Sequence, residues 1–276
     1  MIDFSAQNNS DFSSASPAFC GLKIPKINIP KLGLSGTKIL SDLDSDTFQK
    51  TLQIPSDIIK DGIDEKTFNK ARDFVMKSIN APKPKEGMVI INNGKIIQSK
   101  VCDERSGIVT DKKVLKLLKD AKNSGVIVHS HPKTSYGNTM PVSFTDFETL
   151  NKFQGLKSIY AIDTDGRYSM LKKTGKDKIS DSAMENILEN QYLTGYANWM
   201  NKIDDPECRD FVDLYKYLKY EFNGTEKQKL ELLDEFSKLQ DSIDDAGYAA
   251  GYVDSFWKKY ADKLGVSYKT NFLNPD

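Results

Sequence analysis

From Asp64 onward the apolar residues recur at helical spacing. Phe68, Ala71, Phe74, Val75 and Ile79 share one face, and Ala81-Pro82-Lys83-Pro84 ends the run. Two short apolar stretches, 88–91 and 96–102, then fold back on each other across Asn92-Asn93-Gly94-Lys95, which predicts a β-hairpin. Thr110 or Asp111 caps a second helix, in which Val114, Leu117, Leu118 and Ala121 mark the inner face and Gly125 closes the element. Residues 126–128 read as a buried strand running into His129, and a loop over 133–142 leads to a third helix from about Ser143, with Phe144, Phe147, Leu150 and Phe153 as its apolar side. The stretches 159–162 and 168–171 form a second hairpin around Asp163-Thr164-Asp165-Gly166. Asp163 and Asp165 look like a calcium-loop fragment, but the turn is too short for an EF-hand. The element order predicts a mixed α/β domain over 64–175.

After Lys173 the strand signals stop. Residues 176–182 are a polar linker. Helices are expected at 183–201, 206–222, 226–243 and 245–264, broken at Asp204-Asp205-Pro206 and Asn223-Gly224, so that 180–276 reads as an all-α region. One of these helices is plainly amphipathic through Leu230, Leu233, Phe236, Leu239 and Ile243. The many aromatic residues here are best placed in the core of a small bundle. Residues 1–60 differ from both parts. Met1 to Pro17 is rich in Ser, Asn and Asp, and the following LKIPKINIPKLG is punctuated by proline, so an extended or disordered tail is expected. Such a tail serves as a tether or as a docking peptide, and together with the helical region it offers a surface to a protein partner.

Composition narrows the function classes. The chain has 39 Lys and Arg against 39 Asp and Glu, so no basic field draws in nucleic acid or an anionic membrane. No apolar run approaches the roughly 20 residues of a membrane-spanning helix, and no secretory signal precedes the first element. Cys20, Cys102 and Cys208 are scattered, with no CxxC pair. Reduced thiols and a cytoplasmic location are the expectation, although non-classical export leaves no mark in a sequence.

The chemistry concentrates between Val126 and Asp146. The chain has two histidines, and both lie here, at His129 and His131. On a strand, i and i+2 place both imidazoles on one face and turn Ser130 away. Asp146, in the first turn of the following helix, can reach back as a third ligand. Three protein ligands plus a water is the arrangement of catalytic zinc sites. A carboxylate must also carry the water's proton, and two candidates precede the histidines, Glu86 and Glu104. Ser143 and Asp146 also fit a helix N-terminus, and Thr145 to Glu148 fits a capping box; capping and metal binding are compatible.

His129-Ser-His131-Pro132, followed by a loop and Ser143-x-x-Asp146, resembles the JAMM motif of MPN-type metalloproteases, in the branch of bacterial RadC-like and JAB-like domains. The resemblance covers roughly residues 86–172. It implies a cytidine deaminase-like α/β fold and a zinc ion held by His129, His131 and Asp146. It also implies Glu86 as general base, Ser143 as oxyanion donor, and a peptide or isopeptide bond in a protein substrate as target. One departure stands out: Lys133 through Ser143 is longer than the family's usual spacing, in a loop that absorbs insertions cheaply. Two other readings share the scaffold: a non-catalytic protein-interaction module, and a bacterial or phage effector or toxin domain acting on another amide.

Overall fold

The computed structural model describes residues 62–82, 84–101, 111–131, 139–175 and 179–271. The expected tail over 1–60, together with Cys20, Cys102, Glu104 and Thr110, lies outside them. Along the described chain run α1 (Glu65–Ile79), β1 (Gly87–Asn92), β2 (Lys95–Val101), α2 (Lys112–Lys119), β3 (Gly125–Ser130), α3 (Phe144–Lys152), β4 (Leu156–Ile162) and β5 (Tyr168–Lys173). Then come α4 (Asp181–Ile187), a π-helical stretch (Leu188–Leu193), α5 (Thr194–Met200), α6 (Pro206–Lys216), a second π stretch (Tyr217–Glu221), α7 (Glu226–Ala246), α8 (Ala250–Tyr260) and β6 (Val266–Thr270).

The strands form one six-stranded sheet in the order β2-β1-β3-β4-β5-β6. Only β3 and β4 are parallel; the other neighbours are antiparallel. The parallel pair follows from the connection, since α3 crosses over between the two strands. The first hairpin turns where Asn93 and Gly94 both take positive φ, at 48° and 75°, the backbone that an Asn-Gly pair supplies at least cost.

Period-two alternation sorts the strand residues onto two faces. Val89 and Ile91 of β1, Val126 and Val128 of β3, and Tyr160 and Ile162 of β4 pack under α1, whose Phe68, Ala71 and Val75 are buried against them. Met88, Ile90, Ile127, Ile159 and Ala161 face the other way, onto α2, α3 and the C-terminal helices. Burying an aliphatic side chain contributes about 1.5–3 kcal/mol, so two apolar faces firmly hold the strand register.

Two expectations are overturned. The second helix stops at Lys119, not at Gly125, and Ala121 lies beyond it; only Val114 and Leu118 are buried, while Leu117 is exposed. The stop is local: Asn123 Nδ2 donates to the Leu117 carbonyl at 2.9 Å and the Lys122 N–H donates to Asp120 Oδ1 at 3.0 Å. Gly125 instead opens β3, at a position where a Cβ would meet Leu118 Cδ2 at 2.6 Å and the Gly155 carbonyl at 3.1 Å.

The C-terminal region is also not all helix. β6 returns to the sheet and pairs with β5 from Ser169↔Thr270 to Lys173↔Val266. Its helices share one apolar core with the sheet: Tyr192, Phe256 and Trp257 lie against Phe144 of α3, at ring separations of 5.0, 6.4 and 6.4 Å. Asp254 of α8 accepts from the Tyr268 hydroxyl of β6 at 2.9 Å, tying strand to helix. Among the described residues no helix is long and apolar enough to cross a membrane.

Candidate metal centre

His129 sits near the C-terminal end of β3, opposite Met88 of β1, and shares the sheet face of Ile127. His131 follows the strand's last residue, and its N–H still donates to the Ile162 carbonyl of β4 at 2.8 Å. The two rings are 4.6 Å apart, nearly perpendicular, and both are buried. Ser130, pointing away, accepts from the Gly87 N–H at 2.7 Å. That bond anchors the start of β1 and so places the preceding residue, Glu86, at the site; the sequence offers no signal of it beyond the alternation of side chains.

Each histidine is held through Nδ1. His131 Nδ1 donates to the Met140 carbonyl at 2.7 Å, which places the ring proton there and leaves the lone pair on Nε2. His129 Nδ1 lies 2.9 Å from Glu86 Oε1. Its Nε2 is buried, 3.3 Å from Asp146 Oδ1, yet completes no hydrogen bond among the described residues. Metal-binding imidazoles take this form, with one nitrogen on a carbonyl or carboxylate and the other facing the ion.

Asp146 uses its two oxygens separately. Oδ2 accepts from Ser143 N–H at 2.7 Å and from Ser143 Oγ at 2.9 Å, while the Asp146 N–H donates back to Ser143 Oγ at 3.1 Å. This is the reciprocal capping box of α3, formed by Ser143 and Asp146 rather than by Thr145 and Glu148. Oδ1 is the oxygen turned to His129.

His129, His131 and Asp146 together place three ligand atoms within 4.8 Å of one another. Bonds of about 2.0–2.1 Å in a tetrahedron set neighbouring ligands roughly 3.3 Å apart, the separation already present between His129 and Asp146. Two imidazoles, one carboxylate and an unsatisfied buried nitrogen fit a divalent ion. The neighbouring charges shape the protonation of the two rings. Burial opposes a charge on His129, but the Asp146 and Glu86 carboxylates outweigh it and raise its pKa to about 9. Burial and the charge of His129 push His131 down.

Comparison with known protein families, with curated proteins and with solved structures returns no match. What stands on the geometry is a mixed α/β fold carrying a His-His-Asp cluster able to coordinate a metal ion. Cys208, the cysteine among the described residues, is a free thiol on α6, and burial with Asp205 and Glu207 nearby pushes it up to about 11. A thiol so held is no nucleophile at neutral pH. Asp163 serves its own turn, accepting from the Asp165 and Arg167 N–H groups at 2.9 and 2.8 Å.

Proposed function

We propose that His129, His131 and Asp146 hold a zinc ion and that the protein is a JAMM-type metallopeptidase cleaving a peptide or isopeptide bond in a protein substrate. The observation that carries this is the buried His129 Nε2, unbonded and 3.3 Å from Asp146 Oδ1, with His131 in the same cluster. Bound there, zinc supplies a Lewis acid and lowers the pKa of its water towards about 7.

The chain's residues do the rest. Glu86 Oε1 holds His129 through Nδ1, and the carboxylate would serve as the general base for a metal-activated water. Ser143 donates to the developing oxyanion once its hydroxyl proton turns from Asp146 Oδ2.

Elemental analysis of purified wild type, His129→Ala and Asp146→Asn tests the metal. About one zinc per wild-type chain and little in either variant is expected. Negligible metal in all three refutes the reading, and so does iron, because two histidines and a carboxylate also suit non-haem iron oxygenases. Glu86→Gln, assayed with zinc retained on a peptide library and on lysine-branched isopeptide substrates, then separates a peptidase from a binding module: cleavage by wild type alone supports the peptidase, whereas no cleavage of either by a zinc-loaded wild type refutes it.

A further inference from the structure

The segment from Met140 to Asp146 carries the carbonyl that orients His131, the serine that caps α3, and the third ligand. One residue in it, Val142, is held through both of its backbone groups. The Val142 N–H donates to Ser169 Oγ of β5 at 2.7 Å, and the Val142 carbonyl accepts from Trp257 Nε1 of α8 at 2.7 Å. Val142, Ser169 and Trp257 are all fully buried, so neither bond is shared with solvent. The Trp257 ring also stacks on Phe144 at 6.4 Å and meets Phe147 edge-on at 5.5 Å, the two aromatics flanking Asp146 on α3.

We propose that Trp257 is a positioning residue for the metal centre: its indole N–H on the Val142 carbonyl, together with Ser169 on the Val142 N–H, sets the segment that presents the Met140 carbonyl and Asp146 to the two histidines. The C-terminal helices thereby become part of the site's framework rather than an appendage. This rests on the metal reading for its consequence but not for its geometry, and the two are tested apart.

The chain offers a matched control. Its other tryptophan, Trp199, also donates its indole N–H to a backbone carbonyl, that of Tyr248 at 3.0 Å, in a turn that bears no site residue. Trp257→Phe and Trp199→Phe therefore make the same chemical change in two places. Cobalt(II) is titrated into metal-free wild type and both variants. Separately, the imidazoles of the metal-free proteins are recorded by nitrogen-15 NMR, where two histidines give two assignable rings.

Trp257→Phe is expected to weaken cobalt binding on the order of tenfold, as loss of a supporting contact does, and to shift the His131 Nδ1–H resonance. Trp199→Phe is expected to leave affinity within about twofold and the resonance in place. Wild-type values in Trp257→Phe, or equal changes in both variants, overturn the proposal. Should the wild type take up no cobalt, the metal reading falls alone, and the His131 resonance still decides the positioning. If Trp257→Phe fails to fold, Ser169→Ala removes the other bond to Val142 at little cost in volume and is read the same way.

Discussion

Raising the pH of the metal-free protein from 6.5 to 9 is expected to remove about 3 kcal/mol of stability through His129 alone. The ring is held between two carboxylates, with Glu86 Oε1 at 2.9 Å from Nδ1 and Asp146 Oδ1 at 3.3 Å from Nε2. These raise its pKa from an ordinary 6.5 to about 9 against the opposing effect of burial. The folded state thus binds a proton that the unfolded chain has already released. The stabilisation is complete below about 6.5 and lost as pH climbs through about 9, worth about 3 kcal/mol in all. For a chain of this size that corresponds to roughly 6–12 °C in Tm. Lys173, lowered to about 8 by burial and by Lys157, slopes the opposite way above that pH. The measurement is therefore a difference: urea unfolding of wild type and His129→Gln in chelator across this range. The gap between the two curves should close as pH rises. A constant gap refutes the argument. With zinc present the same proton must leave His129, so metal affinity should rise about tenfold per pH unit below 9, with about one proton released per ion in calorimetry.

Ser143→Ala removes the hydroxyl that caps α3 and one of the two donors on Asp146 Oδ2, leaving the backbone N–H in place, and should cost about 1 kcal/mol in urea unfolding; Ser180→Ala, the cap of α4 with its 3.2 Å bond to the Ala183 N–H, is the comparison far from the cluster. Gly125→Ala places a Cβ against Leu118 Cδ2 and the Gly155 carbonyl, and should cost about 1–3 kcal/mol by overpacking; an unchanged Tm would show that Leu118 yields freely. Tyr268→Phe leaves the buried Asp254 carboxylate with one partner fewer, and should lower stability by about 1–3 kcal/mol in the same assay.

Local features were the legible ones. The i, i+2 spacing of His129 and His131 on a strand, the Ser143-to-Asp146 cap, the Asn93-Gly94 turn and the aromatic face of α3 each follow from a few neighbouring residues. Features that depend on distant partners were not legible. Spacing alone leaves Glu86 level with Glu104, and the JAMM resemblance points to Glu86; what places it beside the histidines is the antiparallel pairing of β1 with β3 and the bond of Gly87 to Ser130, a register that no spacing encodes. The sixth strand has five residues, and only Val266 is fully buried, so its alternation is too brief to stand out after four helices. Its place is set by β5, nearly a hundred positions earlier along the chain. The bond from Trp257 to Val142 spans 115 positions, so an abundance of aromatics read as a separate bundle core is in fact one core shared with the site.

The manner in which the three ligands are held bears on what the ion would do. His129 is fixed by Glu86, His131 by the Met140 carbonyl, and Asp146 by both donors of Ser143 at the positive end of α3. Each of these contacts is made by the chain's own groups, and the two apolar faces of the sheet are packed by its own side chains. A structural zinc supplies the folding free energy of its domain, and chelation unfolds it. Here the ligands stay ordered by other bonds, so chelation should leave far-ultraviolet circular dichroism and the cooperative unfolding transition intact. The Tm should fall only by the mass-action amount set by free metal and its dissociation constant. Collapse of the transition on chelation would make the ion a structural staple and remove the ground for assigning it chemistry. Retention of the fold with loss of peptide cleavage would place it where a catalytic ion belongs, in a framework built to receive it.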